Sequence, residues 1–183
     1  MKGKEKLKEF EREIEIPEGI EIGIEGNVVE VSKGEEKLIR RFPKVLVEKK
    51  ENKIIIKTKR ATKREKKQVG TVIAHINNML KGVQEKFTYK LQICSVHFPM
   101  NVSIKEGEVV IKNFLGETKE RKAKILSGVE VKMERDIITV ESSNKEAAGQ
   151  TASNIEKIAT IKNKDRRIFQ DGIFMIEKAG RQI

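Results

Sequence analysis

Four cations fall within six residues at Lys162, Lys164, Arg166 and Arg167, and Phe169, Gln170 and the pair Asp171-Gly172 follow directly. Guanidinium groups grip phosphate with two parallel hydrogen bonds, and ammonium groups act as point charges. An aromatic ring in such a run can stack on an exposed base or anchor the loop. A second group, Lys57, Lys59, Arg60, Lys63, Arg64, Lys66 and Lys67, crowds the end of one apolar stretch and the start of a helical one. Cations in a first helical turn oppose the helix dipole by roughly 0.3–1 kcal/mol each, an opposition that a docked anion relieves. Lys119, Arg121, Lys122 and Lys124 form a third group that reads as the solvated face of a strand. The chemistry these residues offer is polyanion binding.

Catalytic sets are not legible. His75 and His97 are 22 positions apart, without the short spacing of a metal pair. Cys94 follows Ile93 in an apolar stretch and reads as a packing residue. Glu13, Glu15, Glu21 and Glu25 alternate with isoleucines, the pattern of a solvated sheet face rather than an acid–base pair. Gly19, Gly23 and Gly26 miss the dinucleotide spacing, and Gly116-Glu-Thr-Lys lacks the phosphate-loop pattern. No metal, cofactor or enzymatic activity is expected.

The composition agrees with a binding role. The 183 residues carry 39 Lys+Arg against 28 Asp+Glu, a net charge of +11, which suggests an anionic partner. Only 4% of the chain is aromatic, so its cores must be built from Ile and Val. One cysteine cannot form an internal disulfide, which fits a reducing cytoplasm. No apolar run approaches the roughly 20 residues of a membrane span.

The elements that must hold these residues read twice. Apolar alternation with period two runs through Ile14 and Ile16, Ile20 to Ile24, Val29 and Val31, Leu38-Ile39, Val45 and Val47, and Ile54 and Ile56, broken by polar turns. Thr62-Lys-Arg-Glu65 is a capping box, and Val69, Val72, Ile73, Ile76 and Leu80 form a helical stripe ending near Gly82. Then Glu106-Gly-Glu-Val-Val110 echoes Glu25-Gly-Asn-Val-Val29, Gly116-Glu117 echoes Gly34-Glu35, and Asp136-Ile-Ile138 echoes Lys53-Ile-Ile55. Ser143-Asn-Lys-Glu146 reads as a second capping box, before Ala148, Ala152, Ile155 and Ile158-Ala159. Spacings of roughly 79 to 83 residues exceed solenoid periods and indicate a duplicated domain. The expected fold is α+β: two tandem similar domains, each an antiparallel-rich sheet packed against one helix. The expected bounds are a tail over 1–10, domains over 11–83 and 84–178, and a tail over 179–183. Phe87 to Val96 is a further strand, read as a link between the halves. Only the second copy continues past its helix into the basic loop and a strand over Ile173–Ile176.

At these residues the chain resembles a known family, the universal large-subunit ribosomal protein numbered six in bacteria and archaea and nine in eukaryotes. Pro17-Glu-Gly-Ile-Glu-Ile-Gly-Ile-Glu-Gly-Asn27 is similar to its opening, and Gly34-Glu35 with Leu38 and Arg40 to its second hairpin. Lys162-Asn-Lys-Asp-Arg-Arg-Ile-Phe-Gln-Asp-Gly172 is similar to the archaeal and eukaryotic form of its C-terminal signature. The bacterial Tyr-Lys-Gly-Lys-Gly core is absent, which makes the chain archaeal in type. The resemblance implies a cytoplasmic, non-enzymatic constituent of the large subunit that binds its rRNA near the stalk base and the sarcin–ricin loop. Neighbouring ribosomal proteins and translation factors are then close by. It implies RNA contact at Lys162, Lys164, Arg166, Arg167, Phe169, Gln170 and Gly172. Contacts at Lys59, Arg60, Lys63 and Arg64 rest on charge alone. The rival readings are a free-standing basic nucleic-acid-binding module and an enzyme acting on nucleic acid.

Overall fold

A computed structural model describes residues 10–34, 36–42, 45–58 and 62–183. Two compact units divide the chain, Met1–Glu85 and Lys86–Ile183. The first holds β1 (Phe10–Glu15), β2 (Glu21–Glu25), β3 (Val28–Lys33), β4 (Glu36–Arg41), β5 (Leu46–Lys50), β6 (Lys53–Thr58) and α1 (Lys63–Gln84). The second holds β7 (Phe87–Cys94), β8 (Asn101–Lys105), β9 (Glu108–Lys112), β10 (Arg121–Lys124), β11 (Glu130–Glu134), β12 (Ile137–Ser142), α2 (Lys145–Ile158), β13 (Gly172–Lys178) and β14 (Arg181–Gln182). Within each unit the strands form two antiparallel sheets, with orders β1-β6-β5 and β2-β3-β4, then β11-β12-β7-β13-β14 and β10-β9-β8.

The alternating isoleucines and valines explain the first core. Ile14, Val29, Val31, Ile54 and Ile56 are buried and meet Val69, Val72, Ile76 and Leu80 of α1. The stripe continues to buried Met79, Gly82 and Val83, so α1 runs past the expected stop at Gly82. Packing of Val83 into the core outweighs the low helix propensity of glycine. The second core uses Leu91, Val109, Ile111, Ile138 and Val140 against Ala148, Ala152 and Ile155 of α2. Small residues let α2 approach its sheet closely. A side chain at Gly149 would meet the Tyr89 hydroxyl at 3.1 Å, whereas nothing lies within 4 Å of the corresponding position at Gly70.

The duplication is visible element by element, in a register one residue from the sequence echoes. The two-residue turn Gly26-Asn27 corresponds to Glu106-Gly107, and Val29 and Val31 correspond to Val109 and Ile111, all fully buried. Turn Glu51-Asn52 corresponds to Arg135-Asp136, and Ile54 and Ile56 to Ile138 and Val140. The echoes aligned matching letters, but burial fixes which side chains share a face, and a one-residue slip reverses every face. The first cap forms as expected, with Thr62 and Glu65 bonding reciprocally. The second cap is Asn144, whose side chain accepts from the Glu146 and Ala147 amides. Ser143 does not cap; the hydroxyl of Ser142 instead bridges Gly128 and the Asn144 amide.

Two further expectations change. β7 does not link the halves; it lies at the centre of the five-stranded sheet, paired with β12 and β13. Residues 179–183, expected as a tail, include a tight turn with positive φ at Ala179 and Gly180, and β14, which pairs with β13. Phe10, placed in the N-terminal tail, opens β1 and lies half-buried against the first core.

Candidate nucleic-acid interface

The loop between α2 and β13 is fixed at both ends. At its start, Arg121 on β10 donates to the carbonyls of Ile158 and Thr160 at 2.6 and 3.1 Å, satisfying an acceptor at the C-terminal end of α2. The same guanidinium makes two hydrogen bonds to Glu117, at 2.6 and 2.8 Å, and lies 4.2 Å from the Phe114 ring centroid. Hydrogen bonding to Arg121 holds the Glu117 carboxyl below its ordinary value. Arg121 therefore leaves the solvated group to which the sequence assigned it.

At the far end, Asp171 is only 3% exposed. Its Oδ1 accepts from the backbone amides of Val96 and His97 at 2.7 and 2.9 Å, and its Oδ2 lies 2.6 Å from His97 Nδ1. Burial alone would raise its pKa, but hydrogen bonds from the His97 amide, the His97 ring and the Val96 amide outweigh burial and lower it. Asp171 is thus a buried, ionised anchor. Gly172 beside it is also buried, and a side chain there would meet the Phe174 ring at 2.9 Å and the Ala159 carbonyl at 3.4 Å. Gly172 was expected among the RNA contacts; its burial makes it a packing residue.

Between the anchors the loop carries its own turn. Asp165 accepts from the Arg167 amide through its side chain, at 2.9 Å, and from the Ile168 and Phe169 amides through its carbonyl. An aspartate that bonds its own backbone in this way mimics a turn. Phe169 is half-buried, with His97 stacked at 5.0 Å between centroids and Lys164 Nζ 4.4 Å from its own. Its ring serves as an anchor, and the Gln170 amide reaches the Arg167 carbonyl at 3.4 Å.

Lys162, Lys164, Arg166 and Arg167 are all exposed, and none has a carboxylate within 4.0 Å among the described residues. Several strand cations differ: Lys53 pairs with Glu13 at 2.9 Å, Lys90 with Glu177 at 2.8 Å, and Lys112 with Glu120 at 2.6 Å. A cleft of about 680 Å³ separates the loop from α2, lined by Arg166, Phe169 and Gln170 on one side and Lys157 and Thr160 on the other. Lys157 was missed by sequence reasoning; its sign was a lysine in the last turn before the basic run. His97, Asp171 and Arg121 were missed as positioning residues, because the groups they fasten lie 37 to 75 positions away, many of them backbone atoms that no motif displays.

Lys63 and Arg64 are exposed at the first turn of α1, in the other unit. Lys59 and Arg60 lie outside the described residues. Among the described residues no cluster of three or more His, Cys, Asp or Glu could hold a metal, and no helix is long and apolar enough to cross a membrane.

The sequence profile of ribosomal protein L6 matches residues 16–86 and again 98–172, one segment on each unit. The chain belongs to the ribosomal protein L6 family. It is 44% identical over 171 residues to the large ribosomal subunit protein uL6 of Methanococcus vannielii, covering 92% of this chain and 94% of that protein. It is 42% identical over 168 residues to the uL6 protein of Methanobrevibacter smithii, covering 91% and 94%. Ribosomal protein L6 is a structural family without enzymatic activity, and both of these relatives are archaeal. The second family segment ends at Gly172, so the basic loop lies inside the matched region and β13 lies almost wholly beyond it.

Proposed function

We propose that this chain is a structural constituent of the large ribosomal subunit, in the cytoplasm, and that it holds large-subunit rRNA through residues 161–170. One observation carries the reading: the loop cations are exposed, without carboxylate partners, on a loop tied down at both ends, while strand cations such as Lys53, Lys90 and Lys112 pair with neighbouring carboxylates. A preformed loop loses little freedom on binding, so more of its phosphate attraction becomes affinity. Arg166 and Arg167 are the bidentate phosphate contacts, and Lys162, Lys164 and Lys157 supply further charge. Phe169 and Gln170 hold the loop's shape, and the target is recognised by backbone geometry more than by sequence. Lys59, Arg60, Lys63 and Arg64 form a second, weaker contact. The family resemblance supports a position near the stalk base and the sarcin–ricin loop, beside other ribosomal proteins and docking translation factors.

Chemical footprinting of large-subunit rRNA tests this reading. The wild-type chain is expected to protect a compact set of nucleotides that Arg166→Ala/Arg167→Ala leaves reactive. Identical footprints for the two proteins would contradict it. A chain that washes off the large subunit in high salt would instead be a free-standing nucleic-acid-binding module.

A further inference from the structure

The cleft between the loop and α2 holds more than phosphate contacts require. Phosphate needs only its exposed cations, Lys157 on α2 and Arg166 on the loop. The rest of its lining is mixed. Ala159, Ile161, Ile173 and Phe174 supply apolar surface, and half-buried Ser153 and Glu156 supply a hydroxyl and a carboxylate. At about 680 Å³ the cleft falls in the roughly 300–1,000 Å³ range of small-ligand sites.

Glu156 is the residue out of place. It sits in the last turn of α2, where a negative charge opposes the helix dipole, and it lines a cleft flanked by cations suited to a polyanion. Among the described residues no Lys or Arg nitrogen lies within 4.0 Å of its carboxylate. Its one side-chain hydrogen bond among them is from the Met175 N–H at 3.5 Å, long for such a bond. A break of local rules of this kind is typical of a functional position.

A polynucleotide has one part with apolar faces and an uncharged edge, the base. An unstacked base can be held by its faces and read along its pairing edge. Among the RNA bases, guanine alone presents two adjacent donors on that edge, N1–H and N2–H, which match the two oxygens of a carboxylate. Uracil, cytosine and adenine each set an acceptor beside the donor, which a carboxylate repels. We propose that the cleft takes one unstacked guanine of large-subunit rRNA, with Glu156 accepting from N1–H and N2–H and with Lys157 and Arg166 on the flanking phosphates. This site, which rests on the rRNA reading above, adds one base-specific contact to it.

Two probes of rRNA bound by the full chain at saturating concentration keep the two readings apart. Hydroxyl radicals report the backbone, and kethoxal reports the N1 and N2 edge of unpaired guanine. The wild-type chain should protect one guanine from kethoxal inside its backbone footprint. Glu156→Gln should return that guanine to its unbound reactivity and leave the backbone footprint in place. Ser153→Leu, which fills the cleft and keeps the carboxylate, should do the same. Replacing the guanine by adenine should weaken wild-type binding roughly tenfold, as expected for loss of a bidentate base contact, and should weaken Glu156→Gln no further. Additive losses would make Glu156 a fastener of β13 and overturn the proposal. A backbone footprint without a kethoxal-protected guanine, or protection that survives both protein variants, would also overturn it and leave the rRNA reading standing. A missing backbone footprint would overturn both.

Discussion

The two copies start from one plan and diverge after the helix. The first stops at α1, leaving a sheet whose cations and carboxylates are interleaved. The second adds the loop, β13 and β14, and that addition carries exposed cations without carboxylate partners. The residues fastening the addition are outside it: Arg121 on β10 and the backbone of Val96 and His97 after β7. Charge alone does not distinguish the copies, since the first also has cations at Lys63 and Arg64. What distinguishes them is the segment that carries the cations: in the second copy it is a loop tied down at both ends. Pairs such as Lys53–Glu13 contribute little stability at an exposed surface, but they cancel attraction for phosphate.

The strongest way to break this contrast is at Asp171. Asp171→Ala removes the acceptor shared by the Val96 and His97 amides and should destabilise the second unit by about 1–3 kcal/mol. Chemical denaturation would measure the loss, and loop amides should exchange faster even where the unit stays folded. Arg121→Met keeps volume over Phe114 but releases the end of α2, at about 1–2 kcal/mol. It should increase the exchange of loop amides and leave α1 unchanged. A loop unaffected by either substitution would remove the distinction between the copies.

Acid sharpens the same point. The Asp171 carboxyl is lowered in the folded state from an ordinary value of 3.8, so its stabilisation is fully present above that value. It is lost as pH falls through the folded value. Thermal unfolding followed downward from neutral pH should show the loss in wild type and a flatter profile in Asp171→Asn. The smallest effect belongs to the first copy. Lys63→Glu/Arg64→Glu should stabilise α1 by roughly 0.3–1 kcal/mol per site through the helix dipole, while lowering RNA affinity only slightly. A loss of affinity as large as that from the loop would make the first patch an equal partner.

Much of this was legible in the residues. Period-two isoleucines, the Thr62 box and the stripe of α1 are local signals, and they form as read. The basic run after α2 was legible as composition. Its anchoring was not, because Arg121 and Asp171 act on backbone groups brought near only by sheet pairing. Phe169 was equally open to base stacking or anchoring until His97 and Lys164 were found against its ring. The role of β7 escaped because its second partner, β13, is 78 or more residues later in sequence. The one-residue slip in the repeat has a similar source: letters repeat at turns, but burial sets the register.

The salt dependence of binding to large-subunit rRNA tests the central claim most directly. Each phosphate contact releases counterions and steepens the fall of affinity with salt. Arg166→Ala/Arg167→Ala should reduce that slope by roughly two, while Lys53→Ala, which removes a paired strand cation, should leave it unchanged. Equal slopes for the wild type and the double variant would contradict the account, and so would an equal reduction from Lys53→Ala.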